Sequence, residues 1–366
     1  MNYKNRIQRN IEKLPFGSKV ILPCVKYIYN SLNIRSKYNA YYKKTTESKE
    51  AKEILKACKS DQIKEIVVIY DLYSSAPTYG DFFYVVMLSR FFTLFNKKIH
   101  LWIVDSEFRQ DAVASLSVNE RLEFVRSIIE IPQILLNSGE TVDIKTVTWT
   151  QVTSLLSHYQ NQDSAFICFE NMVTHRKSFY QYSFNIINML LKFSPEIDRE
   201  QFLLSADSFR TLNIDKPTNR YITWSLRFTN KWDCKRNLTE DEFVLIYDSL
   251  KRIFPEHKIM AVSDETGCAY FKEISNNKNM ELLYSKDFSQ SFLGDSALIL
   301  YSDYFFTVRG GGISSIPMFS KMPYGIIAKS IHETVTHHRK ITSWSTENQV
   351  FIFSDRGLPE DVLCSQ

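Results

Sequence analysis

Short apolar runs alternate with longer helical patterns through most of this chain, and the alternation starts afresh after residue 220. The first run, Ile66–Tyr70, is continuous and rich in β-branched residues, as in a parallel strand that is buried on both faces. A loop follows, then Phe82–Phe95, which is long enough for a buried helix, and then a second run at Ile99–Val104. A strand, a helix and a strand in this order form the repeating unit of a doubly wound α/β sheet.

The same spacing extends to the other apolar segments of the chain. We predict further strands over 142–148, 165–169, 221–226, 258–262, 304–308 and 324–328, and further helices over 117–137, 151–159, 179–192, 288–301 and from Thr239 onward. The helix that starts at Thr239 has Glu242 three residues later, which is the spacing of a capping box. The pattern therefore predicts two α/β halves of similar build.

The segment 206–219 has few apolar residues and is the best candidate for a linker between the halves. We predict a basic helical segment at 1–59, a Rossmann-like domain at 60–205, this linker, and a Rossmann-like domain with a C-terminal extension at 220–366. A length of 366 residues suits two domains of ordinary size. The expected fold class is α/β, with two Rossmann-like domains that face each other across a cleft.

Three of the ten glycines in the chain stand together at Gly310, Gly311 and Gly312, just after the strand predicted at 304–308. Adjacent glycines indicate a backbone that either adopts a positive φ or comes very close to something else. A strand, a glycine turn and a serine-rich helix start also present free N–H groups, which suit a phosphate group. The alternative is a tight strand-to-helix turn that binds nothing.

Polar residues follow three of the predicted strands in the second half. Ligands of open α/β sheets bind outside the carboxyl ends of the strands. Arg227 can clamp a diphosphate through its planar guanidinium, and Asp264 can accept hydrogen bonds from a ribose or a base. The alternatives are a surface ion pair for Arg227 and a helix N-cap for Asp264. The candidate ligand-binding residues are Ser225, Arg227, Ser263, Asp264, Arg309, Gly310, Gly311, Gly312, Ser314 and Ser315.

This order of strand ends resembles the donor half of GT-B glycosyltransferases, and most of all the fucosyltransferase-type members. The resemblance spans about residues 220–330 and rests on Arg227, on Ser263-Asp264 and on the segment from Leu298 to Ser315. It departs from that pattern at position 225, where a serine replaces the usual histidine, and at Arg227, where many members have two adjacent arginines. It implies that the ten residues above bind the donor, a nucleotide-sugar, and the departures leave the identity of that sugar open.

The first half resembles heptosyltransferase-like GT-B enzymes at Thr78-Tyr79-Gly80-Asp81, which follows the first strand and opens the first apolar helix. In that family the aspartate of a Gly-Asp at this place faces the cleft and serves as general base toward the acceptor hydroxyl. The resemblance implies this catalytic role for Asp81. The alternative is a carboxylate that caps the helix and complements its dipole. Asp71 and Glu170 also lie at predicted strand ends and are reserve candidates for the base.

Motifs for metals and cofactors are missing from the sequence. The chain has no Asp-x-Asp, the pair that usually holds a divalent metal in the other glycosyltransferase fold, so we expect no metal. Asp105-Ser106-Glu107 is the nearest substitute but lies in the first half, and His337-His338 is expected at the surface. No dinucleotide-binding or P-loop glycine pattern occurs, so we expect no cofactor beyond the nucleotide-sugar substrate.

The first 44 residues carry ten Lys or Arg and one Glu, a net charge of +9, which leaves −5 for the rest of a chain of net charge +4. Apolar residues at 21, 25, 28 and 32 follow helical spacing in this segment. A basic amphipathic segment suits an anionic membrane surface, and the alternative is a solvated helix that packs on the domain. Nucleic acid is the less favoured acidic partner.

The six cysteines are scattered without a C-x-x-C pair, which favours a reducing compartment over a zinc site or a disulfide framework. The first residues have no signal-peptide pattern, because prolines and lysines interrupt the apolar stretch. We therefore expect a cytoplasmic protein, with peripheral attachment to the inner face of the membrane through residues 1–44.

The expected function is transfer of a sugar from a nucleotide-sugar to a glycan or lipid-linked acceptor in cell-surface polysaccharide synthesis, by an inverting and metal-independent reaction. One alternative is a GT-B-like enzyme of another kind, either a nucleotide-sugar epimerase or a polysaccharide pyruvyltransferase. Another is a non-catalytic protein whose basic N-terminus binds nucleic acid or a protein partner. The polar residues at the strand ends of the second half favour an enzyme.

Overall fold

A computed structural model of the protein describes residues 49–72, 79–105, 118–136, 142–160, 165–169, 187, 190–229, 234, 237–309, 311–328, 346 and 348–353. All of them belong to one compact unit, Lys49–Gln366. Residues 1–48 of the basic N-terminal segment and most of the helix predicted at 179–192 lie outside the described residues. The same is true of Ser106, Glu107, Glu170, His337 and His338.

The described part of the first half contains a sheet of four parallel strands with helices packed around it. The strands are β1 Glu65–Asp71, β2 Lys98–Val104, β3 Val142–Val147 and β4 Ala165–Phe169. The helices are α1 Lys49–Lys59, α2 Tyr79–Thr93, α3 Val118–Leu135, α4 Trp149–Gln160 and α5 Arg199–Phe202. The strand order is β3-β2-β1-β4. Residues 66–70 of the central strand β1 are almost fully buried, as expected for a continuous apolar run in a parallel sheet that is covered on both faces.

The second half contains a sheet of six parallel strands. The strands are β5 Tyr221–Ser225, β6 Lys258–Val262, β7 Leu283–Tyr284, β8 Phe305–Val308, β9 Tyr324–Ala328 and β10 Gln349–Phe353. The helices are α6 Glu240–Ile253, α7 Glu265–Asn277, α8 Phe292–Tyr301 and α9 Ser315–Met318, and 3₁₀ turns lie at Ala206–Phe209, Ser285–Asp287 and Gly312–Ser314. The order β7-β6-β5-β8-β9-β10, counted from β5 as the first strand, is the Rossmann order 3-2-1-4-5-6.

These two sheets confirm the predicted α/β class with two doubly wound parallel sheets. The strands predicted at 165–169, 258–262 and 324–328 have the same bounds in the structure. The capping box is also confirmed: the Thr239 amide donates to Glu242 Oε2 at 3.0 Å, and the Glu242 amide donates to Thr239 Oγ1 at 3.2 Å.

The sequence did not predict β7, β10 or the true start of α8. Helix α8 begins at Phe292 rather than at 288, because Ser285–Asp287 forms a 3₁₀ turn and Ser291 caps the helix by accepting from the Gly294 amide. Strand β7 has only two residues, which is too short for an apolar pattern to be visible.

Part of the predicted linker packs on the folded unit. Phe209, at the end of the 3₁₀ turn Ala206–Phe209, is fully buried, whereas the residues from 210 to 220 are exposed or half-buried. The start of the predicted linker therefore packs on the folded unit, and its exposed part begins after Phe209. The domain boundaries stay a prediction.

Helix α2 joins the two halves of the molecule. It is apolar around most of its circumference, which is typical of a helix that is buried on all sides. Phe83 and Tyr84 on this helix contact Phe319, which follows α9 of the second half, at ring centroid distances of 5.9 and 5.7 Å. The Leu204 amide donates to the Phe319 carbonyl at 2.8 Å. These contacts build an apolar core between the two sheets.

Arg90 is the one charged residue in α2 after its first turn, and carbonyl oxygens satisfy it. Its guanidinium donates to the carbonyls of Leu135 at 2.5 Å, Gln201 at 2.7 Å and Phe202 at 2.9 Å. Those carbonyls lie at the ends of α3 and α5, where helices leave acceptors unpaired. Burial lowers the pKa of Arg90, and the three acceptors offset the cost of burying its charge.

Candidate functional site

Both sheets have a topological switch point, where consecutive connections run in opposite directions. In the first sheet it lies between β1 and β4, and in the second between β5 and β8. Ligands of doubly wound sheets bind outside the carboxyl ends of the strands at such points. The helix that follows β1 begins at Tyr79 and contains Gly80 and Asp81, and the loop that follows β8 contains Gly311 and Gly312. Both predicted motifs therefore follow a strand at a switch point.

The two motifs touch each other. A β-carbon built on Gly312 would lie 2.7 Å from the amide nitrogen and 2.8 Å from the α-carbon of Gly80. Distances below 3.0 Å are not seen for real β-carbons, so the backbones meet where no side chain fits. Of the glycines described in this loop, Gly312 is thus explained by close approach of another backbone, from the opposite half of the molecule. Asp81, the candidate base, is the next residue after Gly80 and lies in the first turn of α2.

Tyr79, the first residue of α2, packs between three elements. Its ring stacks on Phe292 of α8 with centroids 4.6 Å apart and planes 7° apart, and it meets Phe124 of α3 edge-on at 5.4 Å. Its hydroxyl lies 2.7 Å from Ser127 Oγ, and burial raises its pKa. No sequence pattern predicts this contact, because the stacked partners come from opposite halves of the chain.

The end of β5 lies between β6 and β8. The Ser225 carbonyl accepts from Thr307 Oγ1 at 3.0 Å, and the Leu226 amide donates to the Val262 carbonyl at 2.9 Å. Ser225 is buried, and Arg227, two residues later, is half-buried where the chain leaves the sheet. Arg227 therefore follows a strand that borders the switch point, as a residue that binds a ligand there would.

Ser263 and Asp264 lie at the start of α7. Asp264 Oδ1 accepts from the Gly267 amide at 2.7 Å, which confirms the helix-cap interpretation of this residue. Asp264 is exposed, and its other carboxylate oxygen has no partner among the described residues. The Ser263 hydroxyl lies against the first turn, since a β-carbon on Gly267 would be 2.0 Å from Ser263 Oγ. A ligand contact of either residue stays a prediction.

Arg309 is turned toward the protein interior and not toward an open site. It is 6% exposed and has a backbone φ of 61°. Its guanidinium donates to both carboxylate oxygens of Glu242 and to the Asn237 carbonyl, the latter at 2.9 Å. Burial alone would raise the pKa of Glu242. The Thr239 amide and the Arg309 guanidinium outweigh burial and hold this pKa below its usual value. This pairing argues against the predicted role of Arg309 in donor binding and assigns it to the packing of β8 on α6.

The residues of the loop after β8 differ in their surroundings and in their hydrogen bonds. Gly310 lies outside the described residues, and a β-carbon on Gly311 would meet nothing within 4 Å. The Ser315 hydroxyl donates to the Gly312 carbonyl at 2.6 Å and thus holds the turn. The Ser314 hydroxyl is buried and has no hydrogen-bond partner among the described residues. Of the two serines, Ser314 is therefore the one whose hydrogen-bonding capacity the fold leaves unused.

A buried ion pair lies close to Asp264 and was not predicted. Lys286 Nζ is 2.6 Å from Asp295 Oδ2, and Asp295 is 5% exposed. Burial, helped by the charge of Asp264, raises the pKa of Asp295 to about 6 against the effect of Lys286. The sequence signal for this pair is an isolated acid near the start of the otherwise apolar helix α8.

Among the residues that the structure describes, no group of three or more His, Cys, Asp or Glu side chains has an arrangement that could hold a metal ion. Within the same ranges, no helix combines the length and the apolar character needed to span a bilayer.

No protein-family model and no curated protein matches this chain. Solved structures of similar fold include the E. coli heptosyltransferase WaaC with ADP, at 12% identity and a TM-score of 0.46, over 82% of this chain and 98% of that one. A glycosyl transferase of family 9 from Veillonella parvula has 11% identity and a TM-score of 0.43, over 81% and 91% of the two chains. The E. coli ADP-heptose LPS heptosyltransferase II has 9% identity and a TM-score of 0.41, over 82% and 96%.

The fucosyltransferase-like pattern of the second half stays a prediction. Because identity is at most 12% and every one of these TM-scores is below 0.5, function has to be inferred from the residues of this chain.

Proposed function

We propose that the protein is a glycosyltransferase of the GT-B type, which transfers a sugar from a nucleotide-sugar donor to a glycan or lipid-linked acceptor. The observation that carries this proposal is the contact between Gly312 and Gly80. It brings a candidate phosphate-binding loop of one half next to the candidate base of the other half. An enzyme that joins a donor to an acceptor needs these two elements side by side.

In the proposed reaction an acceptor hydroxyl attacks the anomeric carbon of the donor sugar and its proton passes to Asp81. The new carbon–oxygen bond forms as the bond from that carbon to the diphosphate breaks, and its electron pair leaves with the nucleoside diphosphate. Attack opposite the leaving group inverts the anomeric centre. Arg227, the amides near Gly312 and the hydroxyl of Ser314 stabilise the charge on the diphosphate, so that no metal is required. Asp264 accepts hydrogen bonds from the ribose or the base.

The first test is nucleotide binding by a matched pair of arginine variants at the two ends of β5. Arg227→Ala should weaken binding of the cognate nucleoside diphosphate about 10-fold to 100-fold, because a charged hydrogen bond to phosphate contributes about 1.5–3 kcal/mol. Arg220→Ala is the control, since Arg220 precedes the strand and pairs with Asp303 at 2.9 Å. Calorimetry with ADP, GDP, UDP, CDP and dTDP measures both. Equal affinities of the two variants would remove Arg227 from the site.

The second test separates catalysis from donor binding. Asp81→Asn should keep the affinity for the nucleoside diphosphate and lower the transfer rate about 10²-fold to 10⁴-fold, which is the usual contribution of a general base. Mass spectrometry of the products distinguishes transfer, which needs an acceptor, from epimerisation, which does not. A variant with full activity would show that another group takes the proton.

We also propose that residues 1–44 attach the protein to an anionic membrane surface, with a cytoplasmic location. The support for this proposal is the net charge of +9 on that segment together with its helical spacing of apolar residues. Deleting residues 1–44 should abolish binding to vesicles that contain phosphatidylglycerol. Equal vesicle binding by the truncated protein would refute this part of the proposal.

A further inference from the structure

The loop after β8 has two described glycines that face different surroundings. A methyl group on Gly311 would enter open space, and Gly311 has a φ of −122° that any residue can adopt. A methyl group on Gly312 would overlap the backbone of Gly80. A backbone obstacle cannot rotate out of the way as a side chain can, so the loop and the start of α2 would have to separate. Of these two described positions, 312 is therefore the one that needs glycine for packing.

The start of α2 is held by ring contacts and a hydrogen bond, so it cannot shift freely. Tyr79 is stacked on Phe292 at 4.6 Å, and its hydroxyl is hydrogen-bonded to Ser127 at 2.7 Å. One helical turn later, Phe83 and Tyr84 pack on the buried ring of Phe319. Densely packed elements transmit a displacement instead of absorbing it. A group inserted between Gly80 and Gly312 would thus change the spacing of the two halves at this point.

We propose that Gly312 is a positioning residue, whose missing side chain sets the distance between Asp81 and the diphosphate of the donor. This inference rests on the proposed function, because it assigns meaning to that distance. Asp81 is one residue from Gly80, and Ser314 is two residues from Gly312, so one contact relates the base to the phosphate loop. Since a misplacement of about 1 Å can cost about 100-fold in rate, a methyl group at this contact affects catalysis before it affects binding.

The test compares Gly312→Ala with Gly311→Ala in the full-length protein. Gly312→Ala should lower kcat about 100-fold relative to Gly311→Ala, while the two variants bind ADP, GDP or UDP with affinities within about threefold of each other. The assay is release of nucleoside diphosphate from UDP-, GDP- and ADP-sugars in the presence of acceptor. Equal kcat values for the two variants would overturn the inference, and so would a loss confined to donor binding.

Amide hydrogen exchange of the free protein tests the contact without any substrate. Gly312→Ala should speed exchange over the first turns of α2, and Gly311→Ala should leave it as in the wild type. If the wild type neither binds nor consumes a nucleotide-sugar, the proposed function fails, whereas the exchange comparison still decides whether Gly312 holds the two halves in register. Unchanged exchange in Gly312→Ala would refute the steric part of the inference.

If Gly312→Ala does not fold, Phe292→Leu provides the second route. It weakens the stack on Tyr79 without introducing a clash, and it should lower kcat with little change in nucleotide affinity. An unchanged kcat in Phe292→Leu would overturn the inference. Tyr79→Phe keeps the ring and should retain more activity than Tyr79→Ala, as expected when the stack and not the hydroxyl sets the position.

Discussion

Replacing Glu242 by glutamine tests whether Arg309 has a structural or a ligand-binding role. Arg309 is 6% exposed, and its guanidinium donates to both carboxylate oxygens of Glu242. Glutamine has nearly the same shape, but it removes the negative charge and turns an NH₂ group toward the guanidinium. Arg309 would then be a buried cation that has lost this carboxylate partner and keeps the neutral carbonyl of Asn237 as an acceptor. The structural role therefore predicts a large loss of stability in this variant.

The size of the loss follows from the exposure of the two side chains. Breaking a fully buried ion pair by removing one partner costs about 3–5 kcal/mol. The side chain of Glu242 is 26% exposed, so water screens part of the interaction, and we expect a cost of about 2–3 kcal/mol. Glu240→Gln is the matched control, because Glu240 lies in the same first turn of α6. Its Oε1 is 2.9 Å from Lys278 Nζ, and both side chains of this pair are exposed to solvent. An exposed pair of that kind contributes about 0–1 kcal/mol.

Urea unfolding at pH 7 measures both variants, and the helix dipole cancels in the comparison because both changes lie in one turn. The pKa of Glu242 is lower in the folded state than in the unfolded state. The charged Glu242 therefore stabilises the fold fully at a pH above its unfolded pKa, and this stabilisation disappears as the pH falls through its folded pKa. The difference in stability between wild type and Glu242→Gln should therefore begin to narrow as the pH falls through the ordinary glutamate pKa of about 4.3, and close at lower pH. Equal stabilities of Glu242→Gln and Glu240→Gln would refute the structural role of Arg309.

Three further outcomes are expected. The pKa of Asp295 is raised from 3.8 to about 6, so the wild type should lose about 3 kcal/mol of stability relative to Asp295→Asn as the pH rises from about 4 to 6. Urea unfolding at several pH values measures this loss. A stability difference that does not change with pH would contradict the prediction. Phe319→Ala should lower the free energy of unfolding in urea by about 3–5 kcal/mol, because Phe319 is fully buried. Phe193 is half-exposed, so Phe193→Ala should lower it by less than about 0.5 kcal/mol. Similar losses in the two variants would show that Phe319 is not part of a core between the sheets. Ser314→Ala should keep the stability of the wild type and weaken nucleotide binding, because the Ser314 hydroxyl has no partner among the described residues. Ser315→Ala should lose about 1 kcal/mol of stability, because it removes the hydrogen bond to the Gly312 carbonyl. A loss of stability in Ser314→Ala and weaker binding in Ser315→Ala would contradict these roles.

The candidate site could be predicted only in part. The apolar runs placed Arg227, Asp264 and Gly312 after the correct strands, since a residue that follows a buried strand lies at the sheet edge in any doubly wound fold. They could not tell which residues at these strand ends are paired within the protein. Arg309 follows β8 as predicted, yet its partner Glu242 is supplied by a helix far away in the sequence, where it is visible only as a capping residue.

By itself, the sequence determined the α/β class, the bounds of most strands and the capping box, because each depends on residues close together in the chain. Only the tertiary structure decided that Gly312 meets Gly80, that Tyr79 stacks on Phe292 and that Arg309 is paired. Local propensity and periodicity act over a few residues. Contacts between the two sheets depend on how complete halves pack, and that free energy is distributed over many buried side chains with no local pattern of their own.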